Sequence, residues 1–302
     1  IAPYLIIFSL LLLVLTKAIY LINGYSWYKP ARWLSIGSLG FQTSDIARFS
    51  IIIFMAYYVD KQRDIITNFQ NGLLPALFIL LLIMSLIIIQ PDYSTAIMIG
   101  FLGMLILFIG GAKISQILFT CSTALLIGIP VLLSREYRRE RVLSFFGIGD
   151  NPDVGYQAHQ SLISLGNGGL FGTGLGNSIE KNHFLPTPHT DFIFAIIGEE
   201  LGFLIGTVPV LTLFLLIFFQ GVKIAKNCND PFGIFLSVGI VSNLILYAFV
   251  NAAVVTGLLP VTGLPMPMVS YGGSGMIINM SLIGILLNIS QAKRVVGDNG
   301  WI

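Results

Sequence analysis

"LLPALFILLLIMSLIIIQPDYSTAIMIGFLGMLILFIGGA", residues 73–112, is the stretch that decides the fold. A membrane-spanning helix needs about 20 mainly apolar residues. Two such runs lie here, 73–90 and 93–112, separated by Gln90-Pro91-Asp92. Pro91 breaks the run because proline lacks a backbone N–H and clashes with the preceding turn. Asp92 can cap the following helix by accepting from its free N–H groups. Capping is the favoured reading for Asp92, and Gln90 and Asp92 can also line a polar cavity.

The same pattern extends outward. Apolar runs at 2–22, 44–60, 115–133, 191–220, 232–256 and 267–289 bring the expected spans to eight. The run at 44–60 is short and opens on Asp45 and Arg48, which lipid tolerates if that side faces the protein interior. The composition agrees: of 302 residues, 55% are hydrophobic and only 10% charged. The mean hydropathy is +0.87. A soluble globular domain carries about 25% charged residues. The predicted fold is therefore an all-α polytopic transmembrane helix bundle, one domain over 1–302, with one large loop at 134–190.

Other classes fall away. A net charge of +2 is too small for nucleic-acid binding. Cys121 and Cys228 suggest neither a disulfide framework nor a metal spacing, and His159, His183 and His189 form no metal-type cluster. The opening run lacks the basic segment and small-residue cleavage site of a signal peptide. With Ile1 as first residue, the natural chain is expected to begin further upstream.

Acids and glycines mark the candidate sites. Asp45 and Arg48 are three apart, so on a helix they share a face and can pair; alternatively, Arg32 and Arg48 hold a phosphate group. The run "GNGGLFGTGLGNS", 166–178, permits tight turns. No strand precedes it and no Gly-Lys-Ser/Thr follows, so it reads as a loop packed over a membrane cavity rather than a nucleotide site. In "FLPTPHTDFIFAIIGEELG", 184–202, Asp191 falls at an expected helix start, where a carboxylate is favoured. Glu199 and Glu200 lie at membrane depth, where acids are functional candidates by default. Adjacent helical residues point about 100° apart, so at most one is expected to face the same cavity as Asp191. The run "LLPVTGLPMPMVSYGGSGM", 258–276, holds Pro260, Pro265 and Pro267 and reads as a re-entrant or broken segment.

Together these motifs carry a resemblance. "RWL…FQTSDIAR", "QPDYSTA", "YRRERV", "GYQAHQSLISLGNGGLFGTGLGNS", "LPTPHTDFIFAIIGEELG" and "LPVTGLPMPMVSYGGSG" occur in the order found in the SEDS family, which includes FtsW, RodA and SpoVE. "GLGNS" followed by Lys181, and "FAIIGEELG", look more like the FtsW and SpoVE branch. The chain departs from the pattern in three places. Gln42-Thr43-Ser44-Asp45 stands for Gln-Pro-Ser-Glu, with Arg48 for the usual lysine. "QPDYST" stands for "QPDLGT". Leu185-Pro186-Thr187-Pro188 lacks the usual loop acid. Family members have ten spanning helices, and the two not seen here would precede residue 1.

The resemblance implies a peptidoglycan glycosyltransferase of the bacterial cytoplasmic membrane, polymerising lipid II at its outer face, with cell division as the expected setting. Its expected partners are a class B penicillin-binding protein and other division or elongation membrane proteins. The loop 134–190 then lies outside. This orientation puts seven basic residues on cytoplasmic loops and nine opposite, against the positive-inside tendency; an anionic substrate would account for the basic outer face. The resemblance assigns the family's essential aspartate to Asp191, as general base. Substrate contacts are expected from Arg32, Arg48, Gln90, Asp92, Arg138, Arg141, Lys181, His189, Thr190, Ser270, Tyr271, Gly272, Gly273 and Ser274. Asp45, Glu199 and Glu200 are expected as buried polar support. The resemblance fixes no cofactor; basic residues or a divalent cation would stabilise a leaving pyrophosphate. The alternatives are a lipid II flippase or other lipid transporter, built on Asp45, Arg48, Glu199 and Glu200, and a non-catalytic division scaffold.

Overall fold

The computed structural model describes residues 1–24, 32–36, 39–148, 152–182 and 184–298. Lys29, part of the basic outer face, and His183 lie outside these residues. In chain order the elements are α1 (Ala2–Ile22), β1 (Trp33–Ile36), β2 (Leu39–Gln42), α2 (Thr43–Lys61) and a π-helical turn (Phe69–Leu73) running into α3 (Leu74–Ile89). Then come α4 (Tyr93–Ile109), α5 (Ile114–Leu133), α6 (Glu136–Phe145) and α7 (Pro152–Gly168). Last are α8 (Ile193–Gly202), a second π-helical turn (Phe203–Thr207), α9 (Val208–Asn227), α10 (Pro231–Val255) and α11 (Gly273–Asp298).

Each expected span contains a helix, although the one expected from 267 begins only at Gly273, and among the described residues six helical segments are long and apolar enough to cross a membrane. The two others differ for separate reasons. α4 is apolar but has only 17 residues. α2 carries Asp45, Arg48, Asp60 and Lys61. Within the large loop at 134–190, α6 and α7 are helical. The antiparallel pair β1–β2, with Trp33 opposite Gln42, was not expected. It brings Arg32 to the start of α2, where the Thr43 N–H donates to the Arg32 carbonyl at 3.2 Å.

The described chain forms two compact units. In the first (1–121, 218–243 and 273–302), α1 packs on α2, and α4 on α2 and α3. Its core includes Leu13, Ile51, Met55, Ile87, Ile99 and Leu102, all fully enclosed. In the second (122–217 and 244–272), α7 packs on α8. Phe192, Phe194, Ala195, Ala248, Val255 and Met266 form its core.

The span expected at 191–220 is interrupted inside the second unit. At Gly202 the backbone turns to φ 77°, and a π-helical turn follows before α9. Backbone groups freed by such a break need partners at membrane depth. The glycine-rich segment supplies them. Thr173 and Gly174 N–H groups donate to the Glu199 and Glu200 carbonyls at 2.9 and 3.0 Å. In return, Phe203 and Leu204 N–H groups donate to the Gly169 and Leu170 carbonyls at 2.9 and 3.0 Å. The approach requires glycine: a Cβ on Gly172 would stand 2.2 Å from the Glu200 carbonyl oxygen, and one on Gly202 would stand 2.3 Å from the Gly172 nitrogen. The run at 166–178 thus serves as the counterpart of a broken helix.

Candidate active site

Asp191 stands just ahead of α8, whose N-cap position is Phe192. The chain through it is neither helix nor strand, yet three consecutive carbonyl oxygens are each held. His189 O accepts from the Tyr271 N–H at 2.9 Å. Thr190 O accepts from Ser270 Oγ at 2.6 Å, and Asp191 O from Asn251 Nδ2 at 2.7 Å. The second amide hydrogen of Asn251 goes to Leu264 O at 2.8 Å. Ser270 Oγ also accepts from the Met266 N–H at 2.8 Å. The segment 258–271 therefore backs the aspartate. Within it, Gly263 has φ 71°, and a Cβ there would be 3.5 Å from Asp191 Oδ2. Arg141 donates from α6 to Val261 O of the same segment at 3.2 Å. Arg138 donates to Val131 O at 3.0 Å. Tyr271 is 81% exposed, and the His189 ring is exposed too.

The two glutamates have separate tasks, and both turn toward the loop after α7. Glu199 is fully enclosed. Its carboxylate accepts from Ser178 Oγ at 2.6 Å, Ser164 Oγ at 2.9 Å, and the Ile179 and Glu180 N–H groups at 2.9 and 3.5 Å. Glu200 meets Lys181 Nζ at 2.6 Å and the Gly176 N–H at 3.0 Å. The loop wraps the end of α8, which is how side chains about 100° apart reach one segment. Lys181 also donates to Gly176 O at 2.6 Å, so its charge is engaged inside the loop. Beside them, burial pushes the Glu180 carboxyl above the usual glutamate range, and the nearby Glu199 charge adds to the shift.

The first unit holds a second polar group. Arg48, buried, meets Asp45 at 3.2 Å and donates to Asn279 Oδ1 at 3.5 Å. Ser274 Oγ donates to Asp45 Oδ2 at 3.0 Å and accepts from the Gln42 N–H at 3.4 Å. Asp92 occupies the N-cap position of α4, but its side chain makes no cap bond. Its carboxylate accepts from Gln42 Nε2 at 3.1 Å and Ser44 Oγ at 3.2 Å, with Arg32 at 4.0 Å. The capping role expected of its side chain is thus replaced by cross-links to the start of α2. Arg32 also donates to Pro91 O. Gln90 Nε2 donates to Leu13 O at 2.8 Å and its Oε1 accepts from Thr43 at 3.4 Å. Gly272 and Gly273 lead into α11.

Asn251, Ser164, Ser178, Gln42 and Asn279 escaped the sequence reading. Asn251 is a polar residue inside an apolar run, and that rule for intramembrane polar groups could have found it. Ser164 and Ser178 sit among small polar residues and carry no such signal. Among the described residues no group of three or more His, Cys, Asp or Glu side chains could hold a metal ion.

Known proteins give this arrangement its context. The family of cell cycle proteins comprising FtsW, RodA and SpoVE matches residues 1–295. A probable peptidoglycan glycosyltransferase FtsW from Geobacter sulfurreducens is 40% identical over 265 residues, 87% of this chain and 71% of that protein. Stage V sporulation protein E from Bacillus subtilis is 38% identical over 290 residues, 96% of this chain and 78% of that one. Among solved structures, a chain from a study of how a peptidoglycan synthase complex coordinates polymerization and crosslinking superposes with a TM-score of 0.76. It is 26% identical, with 97% of this chain and 81% of that chain covered. Rod shape determining protein RodA from Thermus thermophilus shares the fold, with a TM-score of 0.66 and 24% identity over 97% of this chain and 78% of that one.

Proposed function

The chain belongs to the family of cell cycle proteins comprising FtsW, RodA and SpoVE, and from that footing we propose that it polymerises lipid II with Asp191 as general base. It is a multi-pass protein of the bacterial cytoplasmic membrane and a peptidoglycan glycosyltransferase, as its relatives named FtsW are. The observation that carries the finer reading is the hold on Asp191. Its backbone is gripped at three successive carbonyls, outside any helix, beside a glycine that adds no side chain against the carboxylate.

In the reaction, a sugar hydroxyl of one strand attacks the anomeric carbon of a pyrophosphate-linked donor. The Asp191 carboxylate accepts the hydroxyl proton as the new carbon–oxygen bond forms. The old bond breaks, and the lipid pyrophosphate leaves with its electron pair. A positioned base contributes about 10²–10⁴-fold. The departing charge needs cationic donors, and Arg138 and Arg141, in the unit that carries Asp191, are the candidates. A lipid-linked substrate keeps its polyprenyl tail in the bilayer, which suits a site carried by membrane helices.

The sequence relatives named FtsW and SpoVE support a role on the division and sporulation side of the family. The structural relative from a complex that couples polymerization to crosslinking supports a class B penicillin-binding protein as partner. The transporter alternative rested on four intramembrane charges. Within their own units, Glu199 and Glu200 are tied to the loop and Asp45 to Arg48; substrate translocation in vesicles that survives loss of Asp191 would favour that alternative. The test is glycan synthesis from lipid II by the protein reconstituted with its partner. Asp191→Ala should reduce it by at least about 10²-fold, and undiminished synthesis would remove Asp191 from the chemistry.

A further inference from the structure

We propose that Asn251 and Ser270 are positioning residues for Asp191, acting through the backbone on either side of its Cα. The inference rests on the reading of Asp191 as the base. Neither side chain was singled out for this task by its sequence: Asn251 lies in an apolar helix, and Ser270 reads as a substrate contact. The geometry gives both a different use.

Asn251 sits one turn from the C-terminal end of α10 and is 1% exposed. Its amide offers two hydrogens, and both are placed: one on Asp191 O, one on Leu264 O. An amide nitrogen can donate twice and a hydroxyl only once, so one planar group sets the spacing between two chain segments. Ser270 works in the complementary sense. Its oxygen donates to Thr190 O and accepts from the Met266 N–H, bridging the same two segments one residue away. The pair of bridges clamps residues 190–191 against 264–266, with Gly263 at the carboxylate.

This matters because Asp191 lies outside the regular hydrogen bonding of α8. A base on an unrestrained turn would sample positions more than an ångström apart. A misplacement of about 1 Å can cost roughly 10²-fold in rate. Because the bridges hold main chain, with both Asn251 amide hydrogens and the Ser270 hydroxyl committed there, their loss should lower kcat and leave KM nearly unchanged. A side chain that touches lipid II would do the reverse.

The experiment compares Asn251→Leu, Asn251→Asp, Ser270→Ala and Asp191→Ala in the reconstituted complex with its partner, with lipid II as substrate. Rates are normalised to monodisperse protein recovered by gel filtration. Asn251→Asp keeps the size but loses both donors, and Ser270→Ala removes a single oxygen, so a folding defect in the leucine variant leaves the test intact. We expect kcat to fall about 10–100-fold in the Asn251 variants and about tenfold in Ser270→Ala, with KM within about twofold. Adding Asn251→Asp to Asp191→Ala should cause no further loss, since there is no base left to position. Wild-type kcat in the Asn251→Asp and Ser270→Ala variants, alongside an inactive Asp191→Ala, would overturn the positioning role and leave Asp191 standing. A raised KM with unchanged kcat would also overturn it. An active Asp191→Ala would instead remove the reading on which the inference rests.

Discussion

Replacing Glu199 with alanine should loosen the loop 173–182 without unfolding the protein. The carboxylate accepts four hydrogen bonds, and they are unequal. Ser164 has a second acceptor in Ala195 O at 3.2 Å, so its hydroxyl stays satisfied. The Glu180 N–H contact, at 3.5 Å, is at the edge of bonding. Ser178 Oγ and the Ile179 N–H, at 2.6 and 2.9 Å, carry the interaction. Hydrogen bonds to charged groups contribute about 1.5–3 kcal/mol each. Ser178 is buried and would lose its acceptor, but its oxygen still takes the Lys181 N–H at 3.1 Å, while Ile179 is exposed and its N–H can turn to water. The lower end of the range therefore applies, about 3 kcal/mol in total. Each 1.4 kcal/mol is a factor of ten, so the loop should open about 100-fold more often. Hydrogen exchange in lipid nanodiscs reads this directly on peptides covering 173–182. Glu199→Gln retains one acceptor oxygen and should show about a tenth of the effect. The Lys181–Glu200 pair remains in both variants, so the loop should stay folded on average. Exchange of 173–182 at the wild-type rate in Glu199→Ala would refute the argument that this carboxylate holds the loop.

Two glycines that look alike in sequence should behave oppositely. Gly172→Ala puts a Cβ 2.2 Å from a main-chain oxygen at φ 82° and should cost about 1–3 kcal/mol, lowering folded yield; Gly166→Ala, in α7 with open space around it, should be neutral or slightly stabilising in thermal melts. Glu180→Gln should change the pH profile of stability. A carboxyl held above its ordinary range contributes stability that is present at acid pH and lost as pH rises through the raised value. The melting temperature of the glutamine variant relative to wild type should therefore climb from acid toward neutral pH, then level, and parallel profiles would contradict the shift.

The helices were legible because lipid makes a simple demand. Long apolar runs such as 73–90 and 232–256 can only be helices at membrane depth, and they appear as α3 and α10. The ion pair Asp45–Arg48 followed from their spacing alone. The β1–β2 pair did not, since its short segments have no bilayer to constrain them. The helices α6 and α7 inside the 134–190 loop are not legible, because their polar and glycine-rich sequence masks helical periodicity. The Asp92 case is different. Position marked it as a cap, but Gln42 and Ser44 come from a segment distant in sequence and compete for its carboxylate. The two glutamates show the same limit. Their burial could be read from the apolar run around them, whereas their partners, Ser178, Ile179 and Lys181, come from a loop whose path no local rule fixes.

The break at Gly202 bears on how the chain enters the membrane during synthesis. Residues 169–174, which supply partners to the interrupted helix, leave the ribosome before α8 and α9. When the unpaired groups around 199–204 reach the bilayer, their partners are already made and only about 30 residues behind. A helix with a gap would otherwise expose bare amides to hydrocarbon at this step. The order of the two segments along the chain thus lets the most polar part of this span arrive with its cover in place. A circular permutant that places 152–182 after 227 would reverse that order and leave the break uncovered during insertion.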